Sequence, residues 1–201
     1  MDQTGGPVRD AHEADLTVMF TDVVGFTSLS ETLPPSQVVE LLNEHFEIIN
    51  GVVEAEQGTL DKFIGDAAMA FWGAPDRMTD HAKRACRAAL TIAEAVTALN
   101  ARSDGPTLKI KIGLHSGPLI VGNIGAPTRM NYTVIGDTVN VCARIEALAG
   151  TYAEDRHASV LVSDEVVNAV GEAFVFESIG DQFVKGREKA VRVWRLIRAA
   201  E

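Results

Sequence analysis

Apolar residues recur along this chain with two different spacings, and the spacing assigns the elements. Leu16 to Asp22 (LTVMFTD) is β-rich and closes on a carboxylate, so it is expected to be a strand. A short helical stretch follows from Phe26, and Pro34-Pro35 stop it and open the next helix, where proline is tolerated in the first turn. Val38, Leu41, Leu42, His45, Ile48, Ile49, Val52 and Val53 then recur at steps of three and four, the mark of a long amphipathic helix ended by Gly58. The apolar segments on either side of Gly65-Asp66 predict a β-hairpin with a tight turn. A second long helix is expected from Thr79 to Arg102, with Ala82, Ala85, Ala89, Ile92, Ala93 and Val96 as its inner stripe.

Beyond it, LKIKIGLHSG and PLIVGNIG predict two strands, and Tyr132 to Gly136 another. DTVNVCARIEAL is helical, ASVLVS is a strand, and Ser163 is placed to cap a short helix. The C-terminal segments FVFESIG, QFVKG and VRVWRLI predict a meander. The elements alternate but include tight hairpins, so a purely parallel sheet does not fit. The expected fold is α+β: a ferredoxin-like sandwich, a mostly antiparallel sheet with helices packed on one face.

Length and composition refine this picture. The 201 residues suit one domain, read as residues 15–198 after a polar tail or linker over 1–14. Hydrophobic residues make up 46%, enough for a core without staples. A net charge of −10 argues against nucleic acid as the partner. Cys86 and Cys142 sit in helical patterns outside any CxxC and are expected to be buried thiols, consistent with a reducing, cytoplasmic setting. No apolar run is long enough for a membrane span and no signal peptide is visible, so no direct membrane contact is expected of this segment.

Two carboxylates stand out. Asp22 ends a strand and Asp66 lies in a hairpin turn, and carboxylates at the ends of adjacent strands can converge on a divalent cation. Each has a plainer reading: Asp22 as a helix cap, Asp66 as ordinary turn chemistry. The residues next to Asp22 add weight, because Val23-Val24-Gly25-Phe26-Thr27 passes from a strand to a helix start whose free N–H groups suit an anion. Lys62 lies four residues before Asp66, where a solvated lysine is also ordinary. Asn140 and Arg144 lie four apart, hence on one helix face, where a wet surface is the alternative.

Taken together, FTDVVGFTSLSE, LDKFIGDAAMAFWG and YTVIGDTVNVCARIE, in that order, resemble the catalytic domain of class III nucleotidyl cyclases from Asp15 to Trp194. The resemblance implies an adenylyl-cyclase-type enzyme of bacterial kind that converts ATP to cyclic AMP and pyrophosphate. It implies that Asp22, Asp66 and the Val23 carbonyl hold two Mg²⁺ or Mn²⁺ ions per site. It further implies that Gly25, Phe26 and Thr27 wrap the phosphates, with Lys185 reaching the polyphosphate, unless Arg187, Lys189 or a plain surface role accounts for that lysine. Lys62 and Thr133 would read the purine, Asn140 would orient the ribose and Arg144 would stabilise the transferring phosphoryl group. Lysine only donates, which suits a ring nitrogen of adenine, and a threonine hydroxyl accepts from the exocyclic amine; guanine would favour a glutamate.

In this family the metal aspartates and the Asn/Arg pair come from opposite subunits, so the resemblance also implies a homodimer with two shared sites. Regulatory domains are expected outside this chain. One departure is Pro118, where some members carry a phosphate-contacting arginine. His115 and His45 are expected in structural positions, His12 and His81 at the surface. Gly122 and Gly125 open no helix and form no nucleotide fingerprint. The alternatives are a guanylyl cyclase, opposed by Lys62 and Thr133, a non-catalytic nucleotide-binding dimerisation module, and a diguanylate-forming cyclase, for which no GGDEF-like run exists.

Overall fold

Strand alternation decides the layering. In β1 (His12–Val23), Leu16 and Val18 face one side of the sheet and Met19 and Val23 the other, and all four are buried. A strand apolar on both faces has to be central, with cover above and below. The computed structural model describes residues 10–102, 105–126, 128–153, 156–183 and 190–201. In it β1 lies between β3 (Ala67–Trp72) and β4 (Ile110–Ala126), antiparallel to both. The other strands are β2 (Thr59–Ile64), β5 (Arg129–Ile135), β6 (Ala158–Ser163), β7 (Phe174–Gln182) and β8 (Val191–Ala199). Their order is β2-β3-β1-β4-β6-β8-β7, with β5 paired to β4 off this path. Only β4 and β6 pair in parallel among the described strands, so the sheet is mostly antiparallel, as expected.

Among the described residues five α-helices cover the sheet: α1 (Phe26–Thr32), α2 (Pro35–Ala55), α3 (His81–Arg102), α4 (Asp137–Ala149) and α5 (Asp164–Val170). Pro35 opens α2, and His45, Ile49 and Val53, spaced four apart, form its buried stripe. The small inner residues of α3, Ala82, Ala85 and Ala89, are buried in one core with α2, α5, Met19, Trp72, Ile112 and Val162. The opposite face is covered by α4, whose Cys142 packs with Val18 and Phe71 and whose Ile145 packs with Leu161 and Val193. Helices therefore lie on both faces rather than one, because the central strands are apolar on both. Gly113 of β4 permits the close approach of α4: a Cβ there would meet the Glu146 backbone nitrogen at 2.4 Å.

Several local expectations are corrected. β1 begins at His12, inside the expected tail, because its first residues pair with the far half of β4, His12 opposite Val121. LKIKIGLHSG and PLIVGNIG are not two strands but one, the 17-residue β4. It runs through Pro118 because the edge away from β1 is unpaired there: pairing with β6 ends at Leu114 and pairing with β5 starts at Ile120. The described part of the C-terminal meander is a two-stranded pairing of β7 and β8, and most of QFVKG lies outside the described residues. Ser163 stands at the cap position of α5, but its hydroxyl bonds to Nδ1 of His115 at 2.7 Å. His81 is not an ordinary surface residue, since Nδ1 lies 2.7 Å from the Thr17 hydroxyl. Both cysteines are buried free thiols, as expected. No helix among the described residues is long and apolar enough to cross a membrane.

His45 is fully buried and neither ring nitrogen has a partner among the described residues. Burial pushes its pKa down from the ordinary 6.5 to about 4, and the charge of Asp22 opposes only part of that. The unfolded chain therefore takes up the proton first as pH falls. The stabilisation is whole above the unfolded pKa of 6.5 and is lost progressively toward pH 4. Over that window wild type should lose about 3 kcal/mol more than His45→Leu, measured by urea unfolding at several pH values. Equal pH slopes in the two proteins would exclude His45 as the source of acid sensitivity.

Candidate active site

Asp22 lies one residue before the end of β1, on the face that α4 covers, in register with Lys111 of β4. Asp66 occupies the two-residue turn between β2 and β3, whose first residue, Gly65, takes φ +64°. The two carboxyl groups meet and share a hydrogen bond. Burial pushes Asp66 up to about 6, reinforced by the hydrogen bond and charge of Asp22. Asp22 moves the other way: burial opposes its ionisation, but the hydrogen bonds with Asp66 and Lys111 and the lysine charge hold it below the usual carboxylate range. Two adjacent carboxylates of unequal acidity leave a concentration of negative charge that a cation relieves.

Lys111, which sequence reasoning missed, supplies part of that relief. Its ammonium lies 2.9 Å from Asp22 and 3.0 Å from Glu146 of α4. Burial raises the Glu146 pKa, Lys111 lowers it, and the charges of Asp22 and Asp66 raise it again. The available signal was a lysine between Ile110 and Ile112, two apolar positions of a strand.

No group of three or more His, Cys, Asp or Glu side chains able to hold a metal exists among the described residues. Two carboxylates nonetheless fit magnesium or manganese, hard ions that complete their coordination with carbonyl oxygen, water and substrate phosphate. Val23, next to Asp22, is buried, and its N–H donates to Asp22 Oδ1 at 3.0 Å. Gly25 follows with φ +70° and opens α1, with nothing within 4 Å of where a Cβ would stand. Phe26 anchors this turn against the main core, while Thr27 is exposed.

A second group forms around the hairpins. Lys62 of β2 and Thr133 of β5 come together, Nζ to Oγ1, at 3.3 Å. Asp61, also missed in the sequence, accepts the Thr133 hydroxyl proton and lies 3.3 Å from the Lys62 ammonium. Asn140 and Arg144 share α4 as expected, Asn140 exposed and Arg144 half-buried. Arg144 Nη1 is buried without a hydrogen-bond partner among the described residues, a donor suited to an anion. Lys185 lies outside the described residues. A cavity of about 540 Å³ lined by His81, His115 and Ser116 contains none of the expected site residues.

A mostly antiparallel sheet with a carboxylate pair at a strand end and a hairpin turn defines the class, and comparison with known proteins agrees. The chain belongs to the adenylate and guanylate cyclase catalytic domain family, whose model matches residues 8–197. It is 38% identical over 192 residues to adenylate cyclase 1 of Rhizobium meliloti, covering 94% of this chain and 28% of that protein. The chain thus spans about a third or less of the first curated relatives it matches. Among solved structures, the adenylyl cyclase CyaB from P. aeruginosa is similar at TM-score 0.87 and 30% identity, covering 96% of this chain and 98% of that one. The guanylyl cyclase Cya2 is equally similar, at TM-score 0.87 and 30% identity over 95% of each chain. Backbone likeness therefore leaves the purine to be decided by side chains.

Lys111→Met strands Glu146 against the carboxylate pair with no cation beside it. It should lower the unfolding free energy by about 2–3 kcal/mol, and adding Glu146→Gln should recover part of that loss. Denaturant midpoints of the single and double variants measure this. An unchanged midpoint in Lys111→Met would show that the lysine carries no net stabilisation.

Proposed function

We propose that this domain is an adenylyl cyclase that converts ATP to cyclic AMP and pyrophosphate, with each active site shared between two copies of the chain. The observation that carries the choice of ATP is the Lys62–Thr133 contact. It sets a donor beside an acceptor, the complement of the ring nitrogen and exocyclic amine of adenine. A guanine edge, with its carbonyl and ring N–H, mismatches both.

The remaining roles are those that the family resemblance implies for these positions. Asp22, Asp66 and the Val23 carbonyl would hold two Mg²⁺ or Mn²⁺ ions. Bound there, the ions would supply charge neutralisation for the polyphosphate and a lowered pKa for the ribose 3′-hydroxyl, the nucleophile toward the α-phosphorus. The backbone N–H groups of Gly25, Phe26 and Thr27 bind phosphate oxygens, helped by Lys185. Asn140 orients the ribose, and Arg144 places its guanidinium where negative charge develops on the transferring group. Lys111, 2.9 Å from Asp22, adds positive charge beside the carboxylate pair. No side chain in the sequence is an obvious dedicated general base, which leaves water or a phosphate oxygen to take the 3′-hydroxyl proton.

A homodimer is supported by the apolar surface around the base-reading pair. Ile64, Met130 and Ile135 are 52%, 49% and 49% exposed, on the β2–β3 turn and the β5 arm. Large apolar side chains left exposed on neighbouring hairpins are a surface that a second copy would cover. The cytoplasm supplies the nucleotide, and regulation enters from parts of the longer protein outside this chain.

Product analysis after incubation with ATP or GTP plus Mg²⁺ or Mn²⁺ tests the reading: cyclic AMP is expected as the main product, and cyclic GMP formed at least as efficiently would reassign the purine. Separately, Asp22→Ala and Arg144→Ala chains should each be inactive or slowed by about 10²–10³, yet regain partial activity when mixed. A verified heterodimer of the two that stays silent would rule out shared sites.

A further inference from the structure

Strand β2 departs from regular pairing at one residue. Leu60 stands opposite Ala70 and Lys62 opposite Met69, so Asp61 is the extra residue of a bulge. Consecutive side chains of a regular strand leave opposite faces, whereas a bulge lets two neighbours turn the same way. Here Asp61 and Lys62 both reach Thr133, 72 and 71 positions along the chain. The Asp61 side chain is 1% exposed. Its Oδ2 accepts the Thr133 hydroxyl, and its Oδ1 lies 3.3 Å from the Lys62 ammonium without a hydrogen bond aligned to it.

A free threonine hydroxyl is ambivalent, because it rotates to donate or to accept as the ligand requires. An ionised carboxylate only accepts. With its single proton committed to Asp61, the Thr133 oxygen has only lone pairs left to offer. We propose that Asp61 is the residue that makes this site selective for a 6-aminopurine: it fixes Thr133 as an acceptor and holds Lys62 beside it as the donor. Asp61 touches no part of the nucleotide; it is a positioning residue that acts through Thr133 and Lys62. The proposal rests on the reading of those two residues as base contacts. The bulge is what makes the arrangement possible, since a regular β2 would send Asp61 to the opposite face from Lys62.

The test compares kcat/KM for ATP, GTP and ITP in wild type, Asp61→Ala and Asp61→Asn, and repeats Asp61→Ala in a Thr133→Val background. ITP carries the 6-oxo group and ring N–H of guanine without the 2-amino group, so it separates the edge that Thr133 and Lys62 face from the 2-amino position. Asp61→Ala frees the hydroxyl to donate, and the ATP:ITP and ATP:GTP ratios should fall about tenfold. Asp61→Asn keeps an acceptor oxygen for the Thr133 proton and should retain most of the selectivity. With Thr133→Val there is no hydroxyl to direct, and Asp61→Ala should then move the ratios by less than about twofold. Melting temperatures follow the fold throughout. If Asp61→Ala does not fold, Asp61→Leu, closer in volume and also without an acceptor, takes its place.

An equal loss of all three activities, or a selectivity change that persists in the Thr133→Val background, overturns the proposal. Wild type with no preference for ATP removes both the adenylyl assignment and this proposal. Wild type that prefers ATP, with Asp61 variants that keep the preference, removes this proposal alone.

Discussion

Everything at the Asp22 end of the sheet depends on bringing two like charges into contact. Asp22 is carried there by a central strand buried on both faces, and Asp66 by the shortest turn a hairpin allows. Repulsion between the two is answered in three ways within one neighbourhood. Asp66 holds its proton up to about pH 6, Asp22 ionises early, and Lys111 brings an ammonium to within 2.9 Å. Sites that gather anions in this manner store a standing attraction for cations, and the rigid strands on either side keep the carboxylates from drifting apart to relieve it.

Helix α4 joins that site to the rest of the domain. Its inner side is apolar, with Val141, Cys142 and Ile145 filling the cores on its face of the sheet. The same helix carries Glu146 to Lys111 and presents Asn140 and Arg144. Gly113 permits all of this, since any side chain there would collide with the α4 backbone and lift the helix from the sheet. A packing constraint at one glycine thereby sets the position of charged groups that it never touches.

Periodicity alone made much of this architecture legible. The stripe of α2, the small inner face of α3 and the Gly65-Asp66 hairpin were all written locally, within a few residues of each other. Three-motif order made the family legible as well, and the meeting of Asp22 with Asp66 and of Lys62 with Thr133 agrees with it. What escaped were features whose cause is distant in sequence. Pro118 reads as a strand breaker until the unpaired edge of β4 is seen. Lys111 and Asp61 read as ordinary charged positions, because their partners come from other strands and, for Asp61, from 72 residues away. A second covered face was equally invisible, for it depends on which strands become central rather than on any strand alone.

The length of β4 has a mechanical consequence. This one strand carries Lys111 near its start and the partner of Thr133, Gly122, near its end, so it is a beam running from the carboxylate pair to the Lys62–Thr133 pair. Between Leu114 and Ile120 it is braced by a neighbouring strand on β1's side alone, and Pro118 within that span has no N–H to offer. Compliance is concentrated there. A load on the β4–β5 arm would be met at that joint by β1 alone, whereas the half that carries Lys111 is held by β1 and β6 together.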